Sequence, residues 1–174
     1  MTRRPERGEA EEYYFGYIDQ VPGTLVLTVL AAQLGEMLAL LDGISEEQSL
    51  HRYEPGKWTI RQVLSHVNDT ERLFVFRAFW FARGFDSPLP SFDQDVAVKA
   101  ADANAVQWRT HVDEFRSVRA STLTFFRGLP AAAWDRRGLA SDNPFTVRAL
   151  AYLVAGHAIH HTRMLQERYL GVQA

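Results

Sequence analysis

Apolar residues recur along the chain at spacings of three and four, which is the pattern of amphipathic α-helices. Four segments with this pattern are long enough to be bundle helices, and they cover about Thr24–Leu41, Thr59–Ala82, Ala103–Arg127 and Thr146–Leu170. No segment shows the alternation of apolar and polar residues that predicts a strand. The sequence therefore predicts an all-α protein, folded as a four-helix bundle.

Capping and turn residues mark the ends of these helices. Thr59 is followed three residues later by a glutamine, the spacing of a capping box, and Thr146 stands where an N-cap is expected. The connection over residues 84–102 is too long for a tight hairpin, so we expect it to cross the bundle. We expect residues 1–12 to form a poorly ordered arm, followed by one domain over residues 13–174.

Composition narrows the class of protein. A chain of 174 residues suits one domain, and the absence of cysteine excludes disulfides, cysteine nucleophiles and thiolate zinc sites. A chain without cysteine suits the reducing cytoplasm, which is the expected location. With a net charge of -2, the chain lacks the excess of basic residues that is expected of a nucleic-acid-binding domain. Residues 1–12 lack the apolar core of a secretory signal. Polar residues interrupt the apolar stretch of the first helix, so we do not expect it to span a membrane. We expect a soluble protein with neither nucleic acid nor membrane as a partner.

Histidines provide the candidate chemistry, and the fourth helix contains three of the six. On a wheel of about 100° per residue, His157 and His161 fall on the apolar side of this helix, whereas His160 turns away. Two imidazoles four residues apart are the pair that chelates a metal ion from one helix. A third ligand must come from another helix, and His66, His111 or an inward-facing carboxylate remain open. Structural core histidines are the alternative.

Two motifs resemble those of a known family. Lys57–Ile60 with His66–Arg72, and the Gly156–His161 run in the last helix, resemble the second-helix and last-helix motifs of DinB-like proteins. These proteins are the damage-inducible, YfiT-related four-helix bundles, and the resemblance spans most of residues 13–170. It implies an up-down-down-up bundle with a long crossover connection, usually a homodimer, which binds a divalent metal ion through three histidines.

Carried over residue by residue, the resemblance implies that His66, His157 and His161 are the metal ligands. His66 lies about 100° from the centre of the apolar stripe of its helix, so it must reach the metal from the flank. Three protein ligands leave an open coordination position, as in catalytic rather than structural zinc sites. Ligation by nitrogen alone accepts Zn, Ni, Fe, Mn or Co, so the sequence does not choose the metal.

Charged residues on apolar stripes need partners. Glu71 lies near the centre of the stripe of the second helix, and Arg119 has the same position on the third. Because an unpaired buried charge is costly, we expect these two residues to pair across the helix interface. A general-base role for Glu71 at the metal is the alternative. Asp69 is either a hydrogen-bond partner of an imidazole or a solvated charge. Residues 92–95 either line the mouth of the site or form an exposed loop.

The leading interpretation is a small metal-dependent enzyme that acts on a small molecule, as a hydrolase or as a thiol S-transferase. The transferase class follows from the resemblance, because some relatives are thiol transferases. The sequence contains neither a glycine-rich phosphate loop nor a serine nucleophile elbow. The alternative is a non-catalytic dimeric bundle, acting in a stress response or in ligand binding, whose metal is incidental. The second helix is apolar on nearly every side from Leu73 onward, which suits a homodimer interface as well as a core.

Overall fold

The structure, a computed structural model, describes residues 3–171. Its helices and strands follow in the order α1 Phe15–Ile18, α2 Val26–Asp42, α3 Ile60–Ala82, α4 Gln94–Ala101, α5 Trp108–Arg127, β1 Arg137–Ala140, β2 Asn143–Thr146 and α6 Val147–Met164. The long helices α2, α3, α5 and α6 pack together as the predicted four-helix bundle, so the fold class is confirmed. In the described residues, no helix is long and apolar enough to cross a lipid bilayer.

Two predicted helix starts are confirmed by their caps. Thr59 Oγ1 accepts a hydrogen bond from the Gln62 backbone N–H at 3.1 Å, and Gln62 Oε1 accepts one from the Thr59 N–H at 3.0 Å. This reciprocal pair is a capping box, and it fixes the first turn of α3. Thr146 accepts a hydrogen bond from the Ala149 N–H at 3.0 Å and caps α6.

The third bundle helix begins later than predicted. Helix α5 begins at Trp108 rather than at Ala103, and α4 occupies much of the connection that precedes it. Asp102 lies between the two helices with a φ of 45°, a left-handed conformation that interrupts the helical path. Asp93 caps α4 by accepting two backbone N–H bonds, at 2.9 and 3.1 Å. The cap at Asp93 begins α4, and the left-handed conformation of Asp102 ends it. The chain therefore forms a separate short helix before α5.

A short antiparallel hairpin of β1 and β2 precedes α6, although the sequence predicted no strand. Its two turn residues, Ser141 and Asp142, have φ values of 52° and 59°. Positive φ at both central positions is typical of the tight turns that match the twist of paired strands. Strands of four residues are too short to show a clear alternation of apolar and polar positions, which is why the pattern missed them.

Contacts between the helices fix their directions. Helices α3 and α5 run parallel, because Asn68 near the start of α3 donates to the carbonyl of His111 near the start of α5, and aromatic rings near their ends are also in contact. Arg109 at the start of α5 pairs with Asp42 at the end of α2 at 2.9 Å, so these two helices are antiparallel. Tyr169, just after α6, donates to the main chain just before α3. The order is therefore up-down-down-up.

The core consists of two apolar clusters separated by a layer of polar side chains. One cluster contains Leu30, Phe81 and Phe126, and the other contains Leu64 and Phe115. The layer between them is built from three buried side chains on three different helices, namely Gln33, Glu71 and Arg119. Gln33 of this layer also donates to the carbonyl of Ala155 on α6, two residues before His157.

The N-terminal segment lies against the bundle over its described part. Glu9 and Ala10 are buried, and the Glu9 carboxylate pairs with the buried Arg148 of α6 at 2.9 Å. Arg4 donates to the carbonyl of Ile18 at 2.8 Å. A poorly ordered arm was expected over residues 1–12. Residues 1–2 of this arm lie outside the described part of the chain, and in the remainder Arg4, Arg7 and Glu9 contact residues beyond the arm.

Candidate metal centre

Two antiparallel helices bring three histidine side chains together. His66 lies in the second turn of α3, and His157 and His161 lie one turn apart on α6. The Nε2 atom of His157 is 3.0 Å from Nε2 of His66 and 3.0 Å from Nε2 of His161. One potential ligand atom from each residue lies within 4.8 Å of the other two, and all three side chains are buried. We call these three residues the histidine cluster.

The donor atoms of the cluster suit a shared divalent cation. A tetrahedral ion with metal–nitrogen bonds of 2.0–2.1 Å holds its ligand nitrogens about 3.3 Å apart, close to the observed 3.0 Å. Nδ1 of His66 is 3.4 Å from Oγ1 of Thr70, which leaves Nε2 as the free nitrogen of that ring. Nδ1 of His161 is buried without a hydrogen-bond partner. Three convergent imidazole nitrogens of this kind fit the chemistry of a metal site.

Burial keeps the imidazoles of the cluster neutral. Loss of hydration lowers the pKa of His66 to about 4 and that of His161 to about 3, with a smaller contribution from neighbouring histidines. Burial, followed by the proximity of His161 and His66, lowers the pKa of His157 well below its ordinary value of 6.5. A neutral imidazole has a free lone pair, so at neutral pH the three rings are in the form that binds metal.

A cavity of about 250 Å³ adjoins the cluster, and His66 and His157 form part of its wall. The other residues around it come from the N-terminal segment, α3, the start of α4 and the hairpin turn, and they include Tyr13, Tyr14, Tyr17, Thr70, Phe74, Arg77, Phe92, Gln94 and Ser141. Two of the expected mouth residues, Phe92 and Gln94, thus line the cavity. We call it the main cavity, because it is the larger of the two cavities that adjoin the histidine cluster.

A second opening reaches the cluster from the opposite direction along α6. This smaller cavity of about 180 Å³ is bordered by His161 together with Tyr53, Trp58, Met164 and Tyr169. The Trp58 ring also lies against His66, with 5.1 Å between ring centroids. Cavities therefore adjoin the cluster at two places, and aromatic rings form much of the wall of each.

The charged residues near the cluster have other partners. Glu71 accepts hydrogen bonds from Arg119 at both carboxylate oxygens, so the predicted pair is confirmed and Glu71 has a structural role. Asp69 lies 3.4 Å from Arg72 and is partly exposed. Burial raises its pKa, and no hydrogen bond joins it to a histidine within the described part of the chain. Thr70, rather than Asp69, contacts the His66 ring.

The remaining histidine candidates lie outside the cluster. Nε2 of His111 is 2.9 Å from the Ala103 carbonyl, and its Nδ1 is 3.9 Å from the Glu114 carboxylate. The nearby His111 ring, followed by Arg72 and Asn68, lowers the pKa of Glu114 to about 2. His160 faces the Tyr17 ring at 5.4 Å and is exposed, in agreement with its outward position on the wheel.

Sequence reasoning missed most of the other residues of the main cavity, among them Tyr17 and Arg77. The Tyr17 ring lies 5.7 Å from the His157 ring, and burial raises the pKa of its phenol. A Cβ atom at Gly156 would lie 2.2 Å from the Tyr17 carbonyl oxygen, so only glycine permits this approach of α1 to α6. The signal for this close approach in the sequence is Gly156, a glycine beside His157 in a helix whose other residues are mostly buried.

The fold and the cluster together define a four-helix bundle with a buried three-histidine group. Residues 30–165 match the family model of the DinB superfamily. This chain belongs to that superfamily, as the motifs in α3 and α6 indicated. A relative from Geobacillus thermodenitrificans (strain NG80-2) is named "Putative metal-dependent hydrolase". It is 24% identical over 131 residues, which cover 73% of this chain and 72% of the relative.

Two solved structures share the fold. YfiT from Bacillus subtilis, described as a probable metal-dependent hydrolase with an unusual four-helix bundle topology, matches with a TM-score of 0.68 and 17% identity. The match covers 99% of this chain and 95% of YfiT. The mycothiol-dependent maleylpyruvate isomerase matches with a TM-score of 0.68 and 14% identity, over 86% of this chain and 60% of the isomerase chain.

Proposed function

We propose that this chain is a metal-dependent enzyme that acts on a small molecule, with His66, His157 and His161 as ligands of a divalent cation. The observation that carries this proposal is the convergence of three neutral imidazole nitrogens beside a cavity. The names given to the Geobacillus relative and to YfiT support it, since both are described as metal-dependent hydrolases. Nitrogen ligation accommodates Zn, Ni, Fe, Mn or Co.

The residues around the cluster supply the rest of the chemistry. When bound, a divalent cation provides Lewis acidity, the property by which such sites promote ionisation of water or of a thiol near neutral pH. Thr70 orients the His66 ring through Nδ1. Phe74 and Phe92 give the main cavity apolar walls, which exclude bulk water from a bound molecule. Three protein ligands leave room for a substrate atom.

Two reaction classes suit this arrangement. Hydrolysis is favoured by the two relatives described as hydrolases. Thiol S-transfer is supported by the fold shared with an isomerase that is described as mycothiol-dependent. Both reactions need an activated nucleophile next to a pocket for a small molecule, and the histidine cluster beside the main cavity meets both requirements.

The metal content of the purified full-length protein tests the ligand assignment. We expect about one equivalent of divalent metal by elemental mass spectrometry, and we expect His157→Ala to lose most of it. His160→Ala is the matched control, because this ring belongs to the same helix but faces outward. Equal metal content in the two variants would contradict the ligand assignment.

A panel of esters, amides and thiol acceptors then tests catalysis. We expect turnover by the metal-loaded wild type on at least one substrate of the panel, and loss of this turnover in His157→Ala. A wild type that binds metal but turns over no substrate of the panel supports the alternative, a non-catalytic ligand-binding or stress-response bundle. Turnover that persists in His157→Ala contradicts a catalytic role for the cluster.

We further propose that the protein is a homodimer, formed through an aromatic surface of the parallel helices α3 and α5. Phe76 and Phe79 are exposed on α3, and they border a groove that also includes Val75 and Phe125. Exposed aromatic residues that form a contiguous patch are typical of protein interfaces. A second copy of the chain is the expected occupant, because an identical surface on both partners closes a symmetric pair.

Light scattering after size-exclusion chromatography tests the dimer. We expect the wild type to have twice the mass of one chain and Phe76→Glu to have the mass of a monomer. Val96→Glu is the control, because Val96 is exposed to a similar or greater degree on a different helix, α4. A monomeric wild type, or a dimeric Phe76→Glu, would show that this surface is not the interface.

A further inference from the structure

Among the described residues, buried arginines differ in how their charge is compensated. Four arginines are almost inaccessible to solvent, and three of them contact carboxylates: Arg61 with Glu46, Arg119 with Glu71, and Arg148 with Glu9 and Asp135. Arg77 is the fourth and is 2% exposed, but no carboxylate lies within 4.0 Å of it in this part of the chain. Its buried charge lacks the partner that the other three have.

The hydrogen bonds of Arg77 reach only neutral groups. Its Nη2 donates to Oγ of Ser141 at 2.8 Å and to the carbonyl of Pro90 at 3.2 Å, and its Nε has no partner. The phenol of Tyr14 is a neighbour, but burial raises its pKa, so it remains neutral at physiological pH. Burial of a cation among neutral groups is costly and is usually relieved by an anion.

Arg77 belongs to the main cavity, and so do two residues of the histidine cluster. Arg77 lies eleven positions after His66 on α3, which is three turns plus about 20°, so both lie on one face of the helix. Their Cα atoms are about 16 Å apart along the axis at 1.5 Å per residue. The main cavity therefore has the candidate metal site beside His66 and the uncompensated charge of Arg77 further along α3.

We propose that Arg77 binds the carboxylate of an anionic small-molecule substrate whose reactive group faces the histidine cluster. This inference rests on the proposed function and adds the chemical class of the substrate. A guanidinium matches a carboxylate with two parallel N–H···O bonds. Because the cavity holds about 250 Å³, the substrate is a small molecule, with its carboxylate remote from the reacting atom.

The charge at the Arg77 end of the main cavity favours a carboxylate over a phosphate. Arg77 is the one arginine or lysine among the described residues that line it, and it lies about 16 Å along α3 from His66, so a metal ion at the histidine cluster adds no second cation beside it. One cation balances a monoanion, whereas a phosphate carries up to two negative charges and usually meets several cations or N–H donors. Aromatic residues such as Phe74 and Phe92 provide apolar surface for the body of the molecule.

A pair of matched probes tests this inference on the purified full-length protein with its metal. Phenylacetate and phenylacetamide have nearly the same shape and differ in charge. We expect calorimetric titration of the wild type to show at least about 10-fold tighter binding of phenylacetate, the range of a charge-assisted hydrogen-bonded pair. Equal affinity for the two probes in the wild type would overturn the proposal.

Variants at Arg77 separate its contribution from that of the metal. We expect Arg77→Met to bind both probes with similar affinity, and Arg77→Lys to keep part of the preference, because lysine retains the charge but not the planar fork. Arg61→Met is the control, because Arg61 is buried elsewhere and hydrogen-bonded to Ser49 and Glu46. An undiminished preference in Arg77→Met would place the carboxylate elsewhere and overturn the proposal.

Two further measurements keep these outcomes distinct. Thermal unfolding is expected to show a smaller loss of stability for Arg77→Met than for Arg61→Met, because the first change removes an uncompensated charge. A loss as large as that of Arg61→Met would indicate a structural role and contradict the proposal. Metal content measured on the same samples tests the histidine cluster independently. If the wild type contains no metal and its preference for phenylacetate is still lost in Arg77→Met, only the metal site is disproved.

Discussion

Arg119, which is fully buried, donates hydrogen bonds to both carboxylate oxygens of Glu71, each at 2.8 Å, and so joins α5 to α3 in the middle of the core. Arg119 also donates to Oε1 of Gln33 at 2.9 Å, and Nε2 of Gln33 donates to the Ala155 carbonyl at 2.9 Å. Ala155 precedes His157 by two residues. This chain of bonds connects all four bundle helices and fixes α6 relative to α3, the two helices that carry the histidine cluster.

We expect Glu71→Ala to destabilise the protein by about 3–5 kcal/mol, because it leaves the Arg119 charge buried and unpaired. Urea denaturation measures the free energy of unfolding of the variant and the wild type. The double variant Glu71→Leu/Arg119→Met is expected to recover most of the loss, since it removes both charges. Arg116→Ala is the control, because its pair with Asp113 is exposed and contributes less than about 1 kcal/mol. A cost for Glu71→Ala as small as that of the control would contradict this account.

We expect Gly156→Ala to disturb the main cavity as well as stability. The added Cβ would lie 2.2 Å from the Tyr17 carbonyl oxygen, so α1 must move away from α6. A loss of about 1–3 kcal/mol is expected, as for other overpacked cores. Gly35→Ala is the matched control, because nothing lies within 4 Å of its added Cβ and alanine favours the helix. Thermal unfolding should show a lower Tm for Gly156→Ala and an unchanged or higher Tm for Gly35→Ala.

The features that sequence predicted best are those set by local chemistry. The caps at Thr59 and Thr146 depend on residues within one turn, so both helix starts were visible in the sequence. The inward positions of His157 and His161 follow from helical periodicity alone. The spacing did not select His66 over His111, because that choice depends on how α3 and α5 pack against α6. The family resemblance made the selection, and the structure brings His66 to the other two rings.

The features that sequence missed depend on contacts between distant segments. The pair of Glu9 and Arg148 is one example, because Glu9 is buried only where Arg148 lies opposite it on α6. Nothing local marks Arg77 as unpaired, because the absence of a carboxylate is a property of the surrounding fold. Tyr17 reaches the cluster only through the close approach at Gly156. Tertiary packing, rather than local pattern, decides which residues complete the main cavity.

We expect Thr70→Val to weaken metal binding by about 10-fold while leaving the fold intact. Oγ1 of Thr70 is the group that contacts Nδ1 of His66, at 3.4 Å, and loss of such contacts reduces metal affinity by about 10–100-fold. Competition with a coloured chelator measures the affinity. Thr124→Val is the control, because its hydroxyl is bonded to a carbonyl of its own helix and is exposed. Equal affinity in the two variants would show that Thr70 does not orient the ring.

Proton binding by the histidine cluster gives the metal-free protein a specific dependence of stability on pH. The pKa of His66 is about 4 and that of His161 about 3 in the folded state, against 6.5 for an unperturbed histidine. The unfolded chain therefore binds more protons than the folded chain between these values. The stabilisation is fully present above pH 6.5 and is lost as pH falls towards 4.

This dependence is measured on chelator-treated protein at several pH values between 5 and 7. We expect the free energy of unfolding, from urea titration, to fall with decreasing pH by up to about 1.4 kcal/mol per pH unit for each histidine. Glu114, with a pKa of about 2 against an ordinary 4.5, loses its stabilisation at lower pH and does not interfere. His66→Ala should reduce the slope by about one proton, because one titrating ring is gone. A slope that is the same in this variant and the wild type would mean that His66 is already hydrated in the folded protein.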